Sequence, residues 1–181
     1  MKRTRLVFSG SGGQGVITAA IILSEAAVIF ENMNAVQSQS YGAAARGGST
    51  RSDVILSDSE IYFPEVTHPN ILVCLTQESY AKLSPIIRPG GMLLFDTKFV
   101  QTFKKVDAKQ IGIPMYDTVM KKIGKPIVFN ICMLGALIGT TNLLQPDSIM
   151  QVLKTKIPSD FIEMNKKALK IGMDLGSAHK I

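Results

Sequence analysis

Four glycines crowd into Ser9-Gly10-Ser11-Gly12-Gly13-Gln14-Gly15-Val16 near the start of the chain. Residues without a Cβ permit a sharp turn. Backbone N–H groups at the start of a following helix then form a cradle for an anion, reinforced by the helix dipole. The chemistry suggested is binding of a phosphate or carboxylate rather than bond making. Gly10, Gly12, Gly13, Gln14 and Gly15 are the candidate cofactor-binding residues, and Gly10, Gly12 and Gly15 match G-x-G-x-x-G. A second candidate stretch, residues 40–49, is dense in small residues and carries Tyr41 and Arg46-Gly47-Gly48. The Arg46 guanidinium offers a fork of donors to an anion, with the backbone N–H groups of Gly47 and Gly48 close by. The plain alternative is a surface arginine in a small-residue loop.

The glycine match stops short of a dinucleotide site. Such a site places an acid about 20 residues on, at the end of the second strand, to hold the ribose hydroxyls. Here that strand is expected over residues 34–39 and ends in Gln37-Ser38-Gln39-Ser40, while Glu31 precedes it at the wrong end. The glycines alone would serve equally well for a tight turn and close helix-to-sheet packing, so both readings stand.

No residues assemble into a catalytic set. Cys74 and Cys132 each lie inside an apolar run and read as buried thiols, and His68 and His179 are isolated from them. There is accordingly no metal-ligand spacing and no cysteine pattern for an iron–sulfur cluster.

Strands and helices must position the two loops. Leu6-Val7-Phe8 supplies a strand before the glycines; Val16, Ala19, Ala20, Leu23, Ala26, Ala27 and Phe30 recur at helical spacing after them. Residues 50–56 alternate as a half-exposed strand. Ser57-Asp58-Ser59 then turns toward residues 60–63, which predicts a β-hairpin ended by Pro64. Ile71-Leu72-Val73-Cys74-Leu75 and Met92-Leu93-Leu94-Phe95 suit strands buried on both faces. Thr76 is a candidate N-cap for a short helix, and an edge strand is expected near residues 105–108. Further helices are expected over residues 116–123 and 130–138, from Pro146 through Leu153, and from Pro158-Ser159-Asp160 onward. The pattern predicts a Rossmann-like α/β fold: a largely parallel sheet flanked by helices, with a β-hairpin insertion, as a single domain over residues 1–181. Ligands of such sheets lie outside the carboxyl ends of the strands, which puts the loop after the second strand on the same edge as the glycine loop.

Composition narrows the class. The chain is 46% hydrophobic with only 19% charged residues, an excess that suggests apolar surface covered by another chain. Its formal charge of +6 would attract anions, yet the lysines are scattered without aromatic interleaving or a nucleic-acid motif, so no nucleic-acid partner is expected. Residues 126–146 contain no charge, but Asn130 interrupts the apolar part and Gly139-Thr140-Thr141-Asn142 turns polar, which favours a buried helix over a membrane span. Met1-Lys2-Arg3-Thr4-Arg5 enters a strand directly, and the glycine run interrupts any signal-peptide core.

Taken together, Gly10-Ser11-Gly12-Gly13-Gln14-Gly15-Val16 and Ser40-Tyr41-Gly42 through Arg46-Gly47-Gly48 resemble the gamma subunit of 2-oxoacid:ferredoxin (acceptor) oxidoreductases. Pro89-Gly90-Gly91 before a strand ending in Asp96, and Asn130 through Leu134-Gly135-Ala136-Leu137, extend the likeness over almost the full length. The Tyr-Gly to Arg-Gly-Gly segment favours the 2-oxoglutarate type. The resemblance implies a non-catalytic subunit of the pyruvate/ketoisovalerate oxidoreductase gamma type, which helps enclose an active site and offers a place to receive coenzyme A. The complex would decarboxylate a 2-oxoacid oxidatively on thiamine diphosphate with Mg²⁺ and pass electrons through iron–sulfur clusters to ferredoxin. Alpha and beta subunits and a ferredoxin-like delta subunit would hold those cofactors, none bound by this chain alone, in the cytoplasm. One departure stands out: Ala44 replaces an acid common in relatives, removing a carboxylate that could pair with Arg46 or a neighbouring subunit. The competing reading is a self-contained nucleotide- or flavin-binding enzyme on the same glycine loop. The missing ribose acid and the lack of a base count against it.

Overall fold

The computed structural model describes residues 3–41, 49–103 and 105–180. In chain order the elements are β1 (Arg3–Ser11), α1 (Val16–Phe30), β2 (Asn34–Tyr41), β3 (Ser49–Ser57), β4 (Ile71–Cys74), α2 (Gln77–Leu83), β5 (Gly91–Asp96), β6 (Ala108–Ile113), α3 (Met115–Lys122), α4 (Phe129–Thr141), α5 (Pro146–Lys156) and α6 (Ser159–Ser177). Six strands form one sheet in the order β2-β3-β1-β4-β5-β6. β1, β4, β5 and β6 pair in parallel, and β3 is antiparallel to both of its neighbours, so β2 again runs with the majority. The mixed α/β architecture with helices flanking a largely parallel sheet is therefore present.

Its antiparallel hairpin differs in detail from the expected one. β3 pairs with β2, not with residues 60–63, which form no strand. The apolar residues Tyr62 and Phe63 in that stretch face solvent instead of a sheet neighbour. The side of β3 that they were expected to occupy is taken by β1, which pairs from Arg3–Ser57 to Ser11–Ser49. The edge strand also falls later than expected, over Ala108–Ile113.

Alternate residues of the central strands enter two cores, as strand periodicity requires. Leu6 and Phe8 join Val16, Leu23 and most of α4 on one face. Val7, Leu72, Cys74 and Leu93 join Tyr80 and Leu83 on the other. α4 is the uncharged helix foreseen in the sequence; every residue from Phe129 to Thr140 is buried. It crosses α6 with backbones in contact. A Cβ at Gly135 would overlap the Leu169 carbonyl oxygen, and one at Gly172 would overlap that of Cys132. No helix among the described residues is long and apolar enough to cross a membrane.

Candidate functional site

The glycine stretch stands at the carboxyl edge of the sheet. β1 continues through Ser11, so Gly10 and Ser11 are strand residues and the turn proper is shorter than the motif. Gly13 (φ 90°) and Gly15 (φ 72°) occupy the left-handed region that favours glycine. Gly15 directly precedes α1, and a Cβ there would lie 2.6–2.8 Å from the Asn130 side chain. Asn130 in turn donates from Nδ2 to the Gly15 carbonyl at 3.4 Å, while its Oδ1 accepts from the Ile131 N–H at 3.0 Å. The turn is thus tied to the start of α4, more than a hundred residues away. Gly15 serves the close-packing role that the sequence left open.

Gln14 makes the second tie. Its Oε1 accepts from the Ser11 N–H at 2.8 Å, and its Nε2 donates to the Leu75 carbonyl at 3.1 Å. The side chain bridges the ends of β1 and β4 and fills the space that a Cβ on Gly10 would need. Gly12 and Gly13 are exposed, and nothing lies within 4 Å of a Cβ built on Gly13. The first turn of α1 has no side-chain cap and no acid, and its first backbone bond runs from Ala19 N–H to Gly15. The amides of residues 16–18 precede the helical ladder, as the first N–H groups of any helix do. The local chemistry fits an incoming anion.

Of the second candidate stretch, Arg46, Gly47 and Gly48 lie outside the described residues. The strands that carry the loop do place its ends. Tyr41 pairs with Thr50, and Ser49 stands opposite Ser11. With strands about 4.8 Å apart, the loop leaves the sheet two strands from the glycine turn and returns beside it. The described ends of that loop therefore stand at the same sheet edge as the glycine turn.

Three features here escaped sequence reasoning. The first is a groove of about 420 Å³ bordered by Gly13, Thr18 and Asn130 and walled by Ile127, Phe161 and Met164. Its one sequence signal was a lone asparagine in an apolar run. The second is Asp96, fully buried, whose carboxylate accepts from the N–H groups of Lys98 and Tyr116, both at 2.8 Å. Burial pushes its carboxyl above the usual range despite these donors, and it serves to pin the β5 and β6 connections together. The third is Glu31, which accepts from the Gln145 N–H and the Ser148 hydroxyl and so caps α5.

Among the described residues, the turn presents backbone N–H donors and no acid–base or nucleophile–base pair. Among the described residues no three His, Cys, Asp or Glu side chains converge as metal ligands. Cys74 and Cys132 sit in separate cores on opposite faces of the sheet.

Comparison with known proteins bears on this geometry. The family model described as pyruvate ferredoxin/flavodoxin oxidoreductase matches residues 5–175. The 2-oxoglutarate synthase subunit KorC of Methanocaldococcus jannaschii is 42% identical over 175 residues, 96% of this chain and 94% of that one. The crystal structure of a keto/oxoacid ferredoxin oxidoreductase gamma subunit from Geobacter sulfurreducens superposes with a TM-score of 0.90 at 35% identity, covering 100% of both chains. The 2-oxoglutarate:ferredoxin oxidoreductase of Magnetococcus marinus, solved with 2-oxoglutarate, coenzyme A and succinyl-CoA bound, shares the fold at a TM-score of 0.88 and 21% identity; the match covers 98% of this chain but 32% of that longer one. With the family model matching residues 5–175, a relative 42% identical over almost the whole of both chains and a gamma subunit of the same fold, the chain belongs to the pyruvate ferredoxin/flavodoxin oxidoreductase family.

Proposed function

We propose that this chain is the gamma subunit of a 2-oxoglutarate:ferredoxin oxidoreductase, a member of a complex that decarboxylates 2-oxoglutarate oxidatively and passes the acyl group to coenzyme A. The observation that carries the reading is the 42% identity, over almost the whole of both chains, with a 2-oxoglutarate synthase subunit. The alternative of a self-contained nucleotide- or flavin-binding enzyme is not favoured: relatives of full matching length are subunits.

Within the complex, the carboxyl edge is the part of this chain that meets ligand. The uncapped start of α1, the open Gly12–Gly13 turn and Arg46 together suit the phosphates of coenzyme A. Thiamine diphosphate, Mg²⁺ and iron–sulfur clusters belong on companion alpha, beta and ferredoxin-like delta subunits, with ferredoxin as acceptor and the cytoplasm as the site of assembly. Support for this division comes from the two cysteines, which are buried in separate cores.

Arg46→Ala in the assembled complex tests the assignment. Losing one charge-assisted contact costs about 1.5–3 kcal/mol, or roughly one to two decades in affinity. The Michaelis constant for coenzyme A should rise by that factor while that for 2-oxoglutarate stays nearly unchanged. Gel filtration of the same sample checks that the complex is intact. An intact complex with unaltered coenzyme A kinetics would rule out the phosphate contact.

A further inference from the structure

The two lateral edges of the sheet are finished differently. β6 has six residues and carries an exposed lysine, Lys109, and charge of that kind discourages pairing with another chain. β2 has eight residues, Asn-Ala-Val-Gln-Ser-Gln-Ser-Tyr, with no charge and no proline. It pairs with β3 at every position from Asn34–Ser57 to Tyr41–Thr50, without a bulge. Among the described residues, nothing pairs with its outer side. A long, regular, uncharged edge is a template for another strand.

Grooves accompany β2 at both ends. One, of about 400 Å³, takes in Val28, Met33, Val36 and Tyr62 near its start. The other, of about 490 Å³, takes in Ser38, Ser40, Arg51 and Glu65 toward its end. Beside the first, Ile29 is 62% exposed, Tyr62 85% and Phe63 65%. Exposed aromatics next to a pocket are the residue types that anchor protein interfaces.

We propose that β2 is a strand-addition edge, on which an extended segment of a companion subunit pairs in the assembled enzyme. Main-chain hydrogen bonds would supply the affinity, and the two grooves would take alternate side chains of the added strand. The reading rests on the chain being a subunit of a complex. A second copy of this chain is the poorer occupant for two reasons. Antiparallel pairing of β2 with itself about its centre would set the Ala35–Val36 end of one copy against the Gln39–Ser40 end of the other. Each copy also brings a net charge of +6. The same fold, by contrast, forms 32% of a longer chain in the Magnetococcus marinus enzyme, where other segments of one polypeptide accompany it.

Hydrogen–deuterium exchange on the intact complex, paired with assembly of Ser38→Lys, tests the proposal. The outward amides of residues 34–41 should be protected in the complex, while exposed loop amides exchange freely. Ser38→Lys should weaken capture of this chain by its co-expressed companion subunits by about tenfold or more, with an unchanged thermal midpoint for the variant chain. Free exchange of the β2 amides in the complex overturns the proposal even if the variant fails to fold. So does unaltered capture of a folded variant, or protection that arises from a homodimer. Failure of the wild-type chain to bind any companion overturns the subunit reading itself, which separates the two outcomes.

Discussion

At the scale of single residues, the glycines of the turn divide into distinct roles that the motif alone merges. Gly15 has a left-handed backbone and no room for a Cβ, whereas Gly13 has the same kind of backbone in open space. Gly13→Ala should therefore lose only the conformational term, about 1 kcal/mol. Gly15→Ala should lose that and also displace Asn130, for about 2–4 kcal/mol in all. Urea unfolding of both variants checks the order, and equal losses would contradict the close packing of Asn130. The cysteines give a pH test. Burial pushes the Cys132 thiol up to about 12 and raises that of Cys74 further. A folded value above the unfolded one means stability that is complete below about pH 8.5 and is lost as pH rises toward the folded value. In that window each thiol contributes a loss of about 1.4 kcal/mol per pH unit. Cys132→Ala should flatten the decline in the urea midpoint between pH 9 and 11 relative to the parent chain. Neither thiol should react with a thiol reagent at pH 8 until the chain unfolds.

At the scale of elements, α4 and α6 show how small residues set a helix crossing. Gly135 and Gly139 on α4 face the backbone of α6, and Gly172 and Gly176 on α6 face that of α4. Gly172→Ala must part the two backbones, because the obstructing atom is a carbonyl oxygen rather than the end of a flexible side chain. A loss of about 3 kcal/mol or more is expected. Asp174→Ala, on the exposed side of the same helix, should change stability by about 0.5 kcal/mol or less. Thermal and denaturant midpoints of the pair decide the matter. Helices were the most legible elements, because α1 and α4 carry their burial in their own sequence as apolar spacing or an uncharged run. Strand pairing was less so. Residues 60–63 have the composition of a strand, but pairing depends on which neighbour is free, and β1 had taken the place beside β3. The fold-back of Gln14 onto Leu75 and the capping of α5 by Glu31 join residues far apart in the chain, so no local pattern announces them.

For the whole molecule, the proposed functions fall on different edges of the sheet. The carboxyl edge gathers the glycine turn, the ends of the Arg46 loop and the start of α1, while the lateral edge of β2 is left regular and uncharged. The candidate site was legible as a motif, since glycines between a strand and a helix specify an open turn whatever the rest of the chain does. Its neighbours, Asn130 and the groove walled by Ile127 and Phe161, come from the packing of α4 and α6 and could be located only in the folded chain. An edge that offers backbone donors to an anion does not by itself run a redox reaction. The two thiols are buried in separate cores, and the turn offers donors without a base. The isolated chain, given thiamine diphosphate, Mg²⁺, 2-oxoglutarate and coenzyme A, should therefore leave a low-potential dye unreduced. Adding the companion subunits should restore reduction, with a rate that saturates at one gamma chain per active site as this chain is titrated in. Dye reduction by the chain alone would contradict the subunit assignment, and companions equally active without this chain would deny it a place in the active complex.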